Sequence, residues 1–270
     1  MMRPAHTNHT RIRRAGICSA LFWLAIASPA GAQTRDSHAN QPERPSVATH
    51  AGTVAPGWIE LEFGAHFDRE AGASIGSGVP LTAKIGVASR VQLTIAGSIE
   101  APSEGDAGIG DVTVAVKWRF AETPELGRLA ILPSLKLPSG SPDKGTGVDT
   151  TDASIVLISS RSLGAVSLDL NAGYTRRSGD GTQAPRDATL WAISFGGPVA
   201  ERIGWGAELS GEPKTSGPAG QPASVTLLAG PTFSARPWLS FDAGASVQLN
   251  GDHPKTIYFG GVWNAGRLRR

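Results

Sequence analysis

From Trp58 onward, apolar residues recur at every second position over segments about ten residues long, and this limits the fold more than any other feature. Ile59, Leu61, Phe63, Ala65 and Phe67 alternate with Glu60, Glu62, Gly64 and His66. Val112, Val114, Val116, Trp118 and Phe120 alternate in the same way with Asp111, Thr113, Lys117 and Arg119. A strand is the only regular element that sends successive side chains to opposite faces. Twelve such segments are expected, near 57–67, 79–88, 90–99, 110–120, 128–138, 152–160, 164–176, 187–198, 202–211, 223–235, 237–249 and 255–264. Strands that cross a bilayer need about 9–11 residues, whereas globular strands average nearer 5–6. The 34 glycines among 270 residues disfavour a helical bundle, because each costs about 1 kcal/mol in a helix interior.

The connections separate into two kinds that alternate along the chain. Short links are expected around 88–90, 160–163, 199–201 and 235–237, with a moderate one at 121–127. Longer polar links are expected at 68–78, 100–108, 139–151, 177–186, 212–222 and 250–254. Short turns on one side and long loops on the other are how outer-membrane barrels are built. The expectation is therefore an all-β, transmembrane antiparallel β-barrel of about 12 strands over residues 57–264, in the cell outer membrane. An even strand count puts both chain ends on the short-turn, periplasmic side.

The face opposite the apolar one carries the charges. Glu60, Glu62, His66, Lys84, Asp111, Lys117, Arg119, Lys136, Asp169, Glu208 and Asp242 are the expected lumen-lining residues. A Lys or Arg facing lipid at the midplane costs about 2–4 kcal/mol, which clears the outer face of them. Half-buried strands of a soluble β-protein also place charges this way, so a soluble periplasmic protein is a third reading. Trp118, Trp205 and Trp263 share the apolar parity near the short-turn ends and read as an interfacial girdle. Trp58 and Trp238 lie at that level on the other parity, and Trp191 fits no girdle. Small inward residues such as Ala96, Ala115, Gly173 and Gly244 leave room for a narrow passage, and an Arg119–Glu62 bridge would close it. Substitution of Lys117 or Arg119 is expected to alter ion selectivity if they line the path.

The N-terminal residues read as an address. Arg3, Arg11, Arg13 and Arg14 precede an apolar run from Ala15 to Ala27 and then Ala30-Gly31-Ala32, the pattern of a secretory signal over residues 1–32. Its removal leaves 21 basic against 23 acidic residues and no cysteine. The mature chain thus gives no case for nucleic-acid binding, and it suits an oxidising compartment. Residues 33–56 are polar, contain Pro42, Pro45 and Pro56, and read as a flexible tail. Residues 265–270 read as a basic C-terminal extension.

Three stretches together carry a family likeness: Pro80–Ile99, Gly108–Phe120 with its G-x-G-D start, and Leu135–Gly147 with L-P-x-G. They resemble the outer-membrane barrel transporters grouped under the "MetA-pathway of phenol degradation". The resemblance covers roughly 57–264 and implies a barrel and passage of small or hydrophobic molecules. It supplies no site residues. Barrels of this kind finish on an aromatic residue, whereas this chain continues past Trp263 to Arg270.

Other motifs carry little chemistry. Gly108-Ile109-Gly110-Asp111 precedes a strand, so it reads as a turn and not as a phosphate loop. Asp143, Asp149 and Asp152 match no Ca²⁺-loop spacing. The mature histidines are His38, His50, His66 and His253, none of them set beside a Gly-x-Ser-x-Gly elbow, so no enzyme, metal or cofactor is expected. Six acids and four bases on the inner face disfavour a pore for acidic sugars. The expected function is an outer-membrane channel or transporter for small molecules, hydrophobic or aromatic ones included. The alternative is a closed structural or surface-binding barrel without transport. The expected partners are outer-membrane lipid, a small permeant and the outer-membrane assembly machinery.

Overall fold

The alternation is realised as twelve long strands and one of two residues, in a computed structural model that describes residues 36–44 and 46–268. Residues 1–32, expected to be a signal, lie outside the described residues, as do 33–35 and 269–270. The strands are β1 (Trp58–Glu70), β2 (Ala73–Ala88), β3 (Val91–Pro102), β4 (Gly108–Ile109), β5 (Val112–Thr123), β6 (Gly127–Leu137) and β7 (Asp152–Leu163). They continue as β8 (Val166–Arg177), β9 (Asp187–Pro198), β10 (Ile203–Glu212), β11 (Ser224–Arg236), β12 (Leu239–Gln248) and β13 (Lys255–Arg267).

Consecutive strands pair antiparallel, and β13 returns to β1 in a register running from Trp58↔Arg267 to Arg69↔Lys255. The short β4 pairs with β3 through Ile99↔Ile109 and continues the line of β5 beyond Gly110 and Asp111. The ring is a closed twelve-strand antiparallel barrel with no free edge.

Burial is inverted relative to a soluble protein. Among the described residues nine apolar side chains are buried against fifteen polar or charged ones, while Val116, Leu157, Phe195, Phe233, Phe241 and Phe259 stand exposed outside. An apolar belt around a polar interior is the arrangement lipid requires.

Three expectations need correction. The link expected at 68–78 is a hairpin: β1 runs to Glu70, β2 starts at Ala73, and positive φ at Ala71 (48°) and Gly72 (87°) makes the two-residue turn. The small residues of 71–78 hid this strand, because pairing such as Phe67↔Ser77, and not hydrophobic patterning, holds it. The last strand does not end at 264 but reaches Arg267, so the first three residues of the expected basic extension are wall. Trp191, which fitted no girdle, sits on the outer face opposite Ala172 and Gly211, four residues in from the long-loop end of β9. There it forms part of a second aromatic level with Tyr174, at the other rim from Trp118, Trp205 and Trp263.

Candidate functional site

Residues 36–44 and 46–56 are not a free tail. They enter the barrel at the short-turn end, rise through the lumen and leave at the same end, forming a strap. The segment has no apolar period and pairs with a strand only at the single bridge from Pro56 to Gly86, so its backbone polar groups need other partners. The charged inner wall supplies them. Gln41 N–H donates to Glu60 Oε2 at 2.7 Å and Glu43 N–H to Glu62 Oε1 at 2.8 Å. The N–H groups of Val47 and Ala48 both donate to the Glu208 carboxylate. Those of Thr49, Ala51 and Val54 donate to Asn171, Ser160 and Gln92 at 2.9, 2.7 and 3.0 Å. Ala51 also rests on an apolar seat of Ala130 and Ile158.

Both ends of the strap are fastened. Asn40 N–H donates to the Pro237 carbonyl, and Gly57 N–H to the Gly86 carbonyl. Gly86 has to be glycine, since a Cβ there would lie 2.1 Å from the Ala55 oxygen. His38 lies between Trp58 and Trp238, with ring centroids 4.8 and 5.7 Å away, and its Nε2 meets the Asn264 carbonyl at 3.0 Å. This explains the inward parity of the two indoles. They clamp the strap and do not face lipid.

The charges gather where strap and wall meet. The Lys84 ammonium lies 2.6 Å from Glu60 Oε1, 2.7 Å from Glu62 Oε1 and 3.6 Å from Glu43 Oε1. Lys117 Nζ lies 2.7 Å from Glu43 Oε1 and donates to Thr49 Oγ1 and the His50 carbonyl. Burial alone would raise the Glu43 carboxyl, but the Lys117 and Lys84 ammoniums hold it well below the usual carboxylate range. Burial, reinforced by Lys117, pushes the His50 imidazole down to about 3, so it is neutral at physiological pH. Higher up, Arg44 pairs with Asp242 at 3.1 Å and donates to the Phe259 carbonyl.

Above the strap the lumen opens into a cavity of about 540 Å³. Glu43, Arg44, Ser46, Val47 and Thr49 form its floor, and its walls include Thr82, Ala96, Leu132 and Tyr258. His66 lies on its upper wall, 3.4 Å from Asp68 and 3.7 Å from Glu100.

The expected lumen residues thus fall into groups. Glu60, Glu62, Lys84, Lys117, Glu208 and Asp242 hold the strap, and the closest approach of Glu62 is to Lys84. Arg119 is buried at the short-turn end, where it donates to the Ser89 carbonyl. Asp169 accepts from Ser160, and Asp111 pairs with Lys136 at the long-loop mouth, 2.7 Å apart. The passage expected beside Gly244 is taken by Tyr258, whose hydroxyl would lie 2.3 Å from a Cβ added there. Lys117 is buried against the strap through Glu43, Thr49 and the His50 carbonyl, so its substitution is expected to act on strap attachment. Sequence reasoning missed Glu43, Arg44, Gln92, Ser160 and Asn171. The one available signal was two tryptophans on a polar face. Among the described residues no group of three or more His, Cys, Asp or Glu is arranged to hold a metal ion.

A family model described as "Putative MetA-pathway of phenol degradation" matches residues 42–264, which takes in most of the strap. No curated protein matches the chain. Among solved structures it is similar to the COG4313 outer membrane channel from Pseudomonas putida F1, with 11% identity and a TM-score of 0.58 over 79% of this chain and 97% of that one. The NanC porin shares 8% identity and a TM-score of 0.55 over 75% of this chain and 98% of its own. The KdgM porin in complex with disordered oligogalacturonate shares 12% and 0.52, over 76% and 98%. At these identities the likeness establishes the barrel fold.

Proposed function

The chain belongs to the family described as "Putative MetA-pathway of phenol degradation", and on that footing we propose that it is an outer-membrane channel for small molecules, hydrophobic and aromatic ones included. The observation that carries this reading is the cavity of about 540 Å³ above the strap, set inside a barrel whose outer surface is an apolar belt. Its volume lies within the roughly 300–1,000 Å³ of small-molecule sites. Val47, Leu132 and Leu228 line it together with the hydroxyls of Thr82, Thr94 and Thr256, a surface suited to weakly polar solutes.

Charge narrows the class. The one basic side chain on the floor, Arg44, is neutralised by Asp242, while Asp68 and Glu100 flank His66 on the wall. Anions therefore meet net repulsion. One unit charge about 4 Å away in a water-like medium costs about 1 kcal/mol, or roughly a fivefold loss in rate. Above the leak of protein-free liposomes, the wild-type protein is expected to admit a neutral polyol about fivefold faster than a polyol carboxylate of equal size. Asp68→Asn with Glu100→Gln should abolish the difference. Equal rates in the wild type, or a faster anion, would contradict the reading.

A closed barrel that binds without transporting is the second reading, and the strap favours it because it fills the short-turn half of the lumen. It predicts solute bound in the cavity with no transfer into liposomes.

A further inference from the structure

The two motifs left without a role meet at the long-loop mouth. The connection between β6 and β7, residues 138–151, begins with Pro138-Ser139-Gly140 and makes one 3-10 turn at Pro142–Lys144. The Asp111 carboxylate ties both sides of this loop. Its Oδ1 accepts the Gly140 N–H at 3.0 Å, and its Oδ2 accepts the Val148 N–H at 3.1 Å and the Lys136 ammonium at 2.7 Å. Ser139 adds a second tie, accepting the Val112 N–H and donating to the Gly110 carbonyl.

The loop lies on the inner side of the wall. Ile109 points outward and is 65% exposed, which turns Gly108 and Gly110 inward. A Cβ on Gly108 would sit 3.3 Å from the Thr146 side chain, and one on Gly110 would lie 2.3 Å from Ser98 Oγ and 3.5 Å from the Thr146 carbonyl. A Cβ on Gly147 would be 2.5 Å from Asp111 Oδ1. The glycines of G-x-G-D thus leave a seat for the loop, and Thr146 is buried in it. That seat adjoins Ser98 and Glu100 of β3, just above Ala96, which lines the cavity.

We propose that Asp111 is a positioning residue that docks the loop 138–151 against the inner wall of the mouth, so that the docked loop sets how large a solute reaches the cavity. The claim concerns access from the long-loop side and does not depend on whether the lumen conducts.

The test reads access directly. The only cysteine of the sequence, Cys18, lies in the expected signal segment, so Thr82→Cys places a single reporter thiol in the cavity wall of the mature protein. The folded barrel in lipid vesicles is labelled from outside with a small thiol reagent and with a bulky maleimide. Asp111→Ala removes a charged acceptor of three hydrogen bonds and should speed the bulky reagent about tenfold or more, with little change for the small one. Asp111→Asn, which keeps one acceptor oxygen, should fall between. Gly108→Val fills the Thr146 seat, leaves Asp111 in place, and should also speed the bulky reagent selectively. It carries the test if Asp111→Ala does not fold. Unchanged labelling in the variants that fold would overturn the proposal. So would an equal gain for both reagents, which marks general loosening of the wall.

Discussion

Replacing Lys117 by methionine is expected to free the strap while leaving the barrel assembled. Methionine keeps the apolar stem that fills the site but removes the ammonium held 2.7 Å from Glu43 Oε1, together with its hydrogen bonds to Thr49 and His50. The Glu43 carboxylate is then left with the neutral Gln92 amide and with Lys84 as its one cation, 3.6 Å away and already engaged by Glu60 and Glu62. Breaking a buried ion pair by removing one partner costs about 3–5 kcal/mol. The strap can escape most of that by moving into water, since wall side chains and not a backbone ladder fix it. Amide hydrogen exchange over residues 46–54 should accelerate by roughly two to three orders of magnitude. Exchange in β5 and its neighbours should hold. Adding Glu43→Gln to Lys117→Met should recover much of the protection, because no unpaired charge remains. Unchanged exchange in the single variant would show that the strap is held by something other than this pair.

Lys84→Met should do more damage, and to the wall itself. Lys84 is the registered partner of Glu60 across the β1–β2 pair, and it is the shared cation for Glu60, Glu62 and Glu43. Its loss leaves three carboxylates around one site, two of them on β1. The expected result is a loss of about 3–5 kcal/mol or more in the urea unfolding of the barrel in lipid vesicles, accompanied by release of the strap. Glu60→Gln and Glu62→Gln added to Lys84→Met should restore the barrel. A Lys84→Met barrel as stable as the wild type would mean that solvent or another cation compensates this cluster.

The contrast between these two lysines shows what the sequence carried. Both were legible as inward-facing, because each breaks an apolar alternation that fixes its side of the sheet. So were Glu60, Glu62 and Glu208. What they hold was not legible, since residues 36–56 have no period of their own. Their order comes from acceptors spread over β1, β3, β7, β8 and β10, which come together only when the ring closes. Trp58 and Trp238 were the local sign of this, two large aromatics on a polar face with no lipid to meet. The β1–β2 hairpin was missed for a different reason. Beyond Phe67 the chain turns small and polar, so its strand character rests on cross-strand pairing that a single segment does not reveal. Asp111 was legible as an inward-facing charge after a turn, but its partners Gly140 and Val148 are distant in sequence and could not be read from it.

Because the strap fills the short-turn half of the lumen, it is expected to limit passage through the barrel, and planar-bilayer conductance tests this most directly. The folded wild-type protein should be silent or show only small steps. The same barrel with residues 36–56 deleted should show larger discrete steps, which a synthetic peptide of residues 36–56 blocks when added to the short-turn side. Deletion that leaves the conductance at the wild-type level, in a barrel shown to be folded and inserted, would contradict the account.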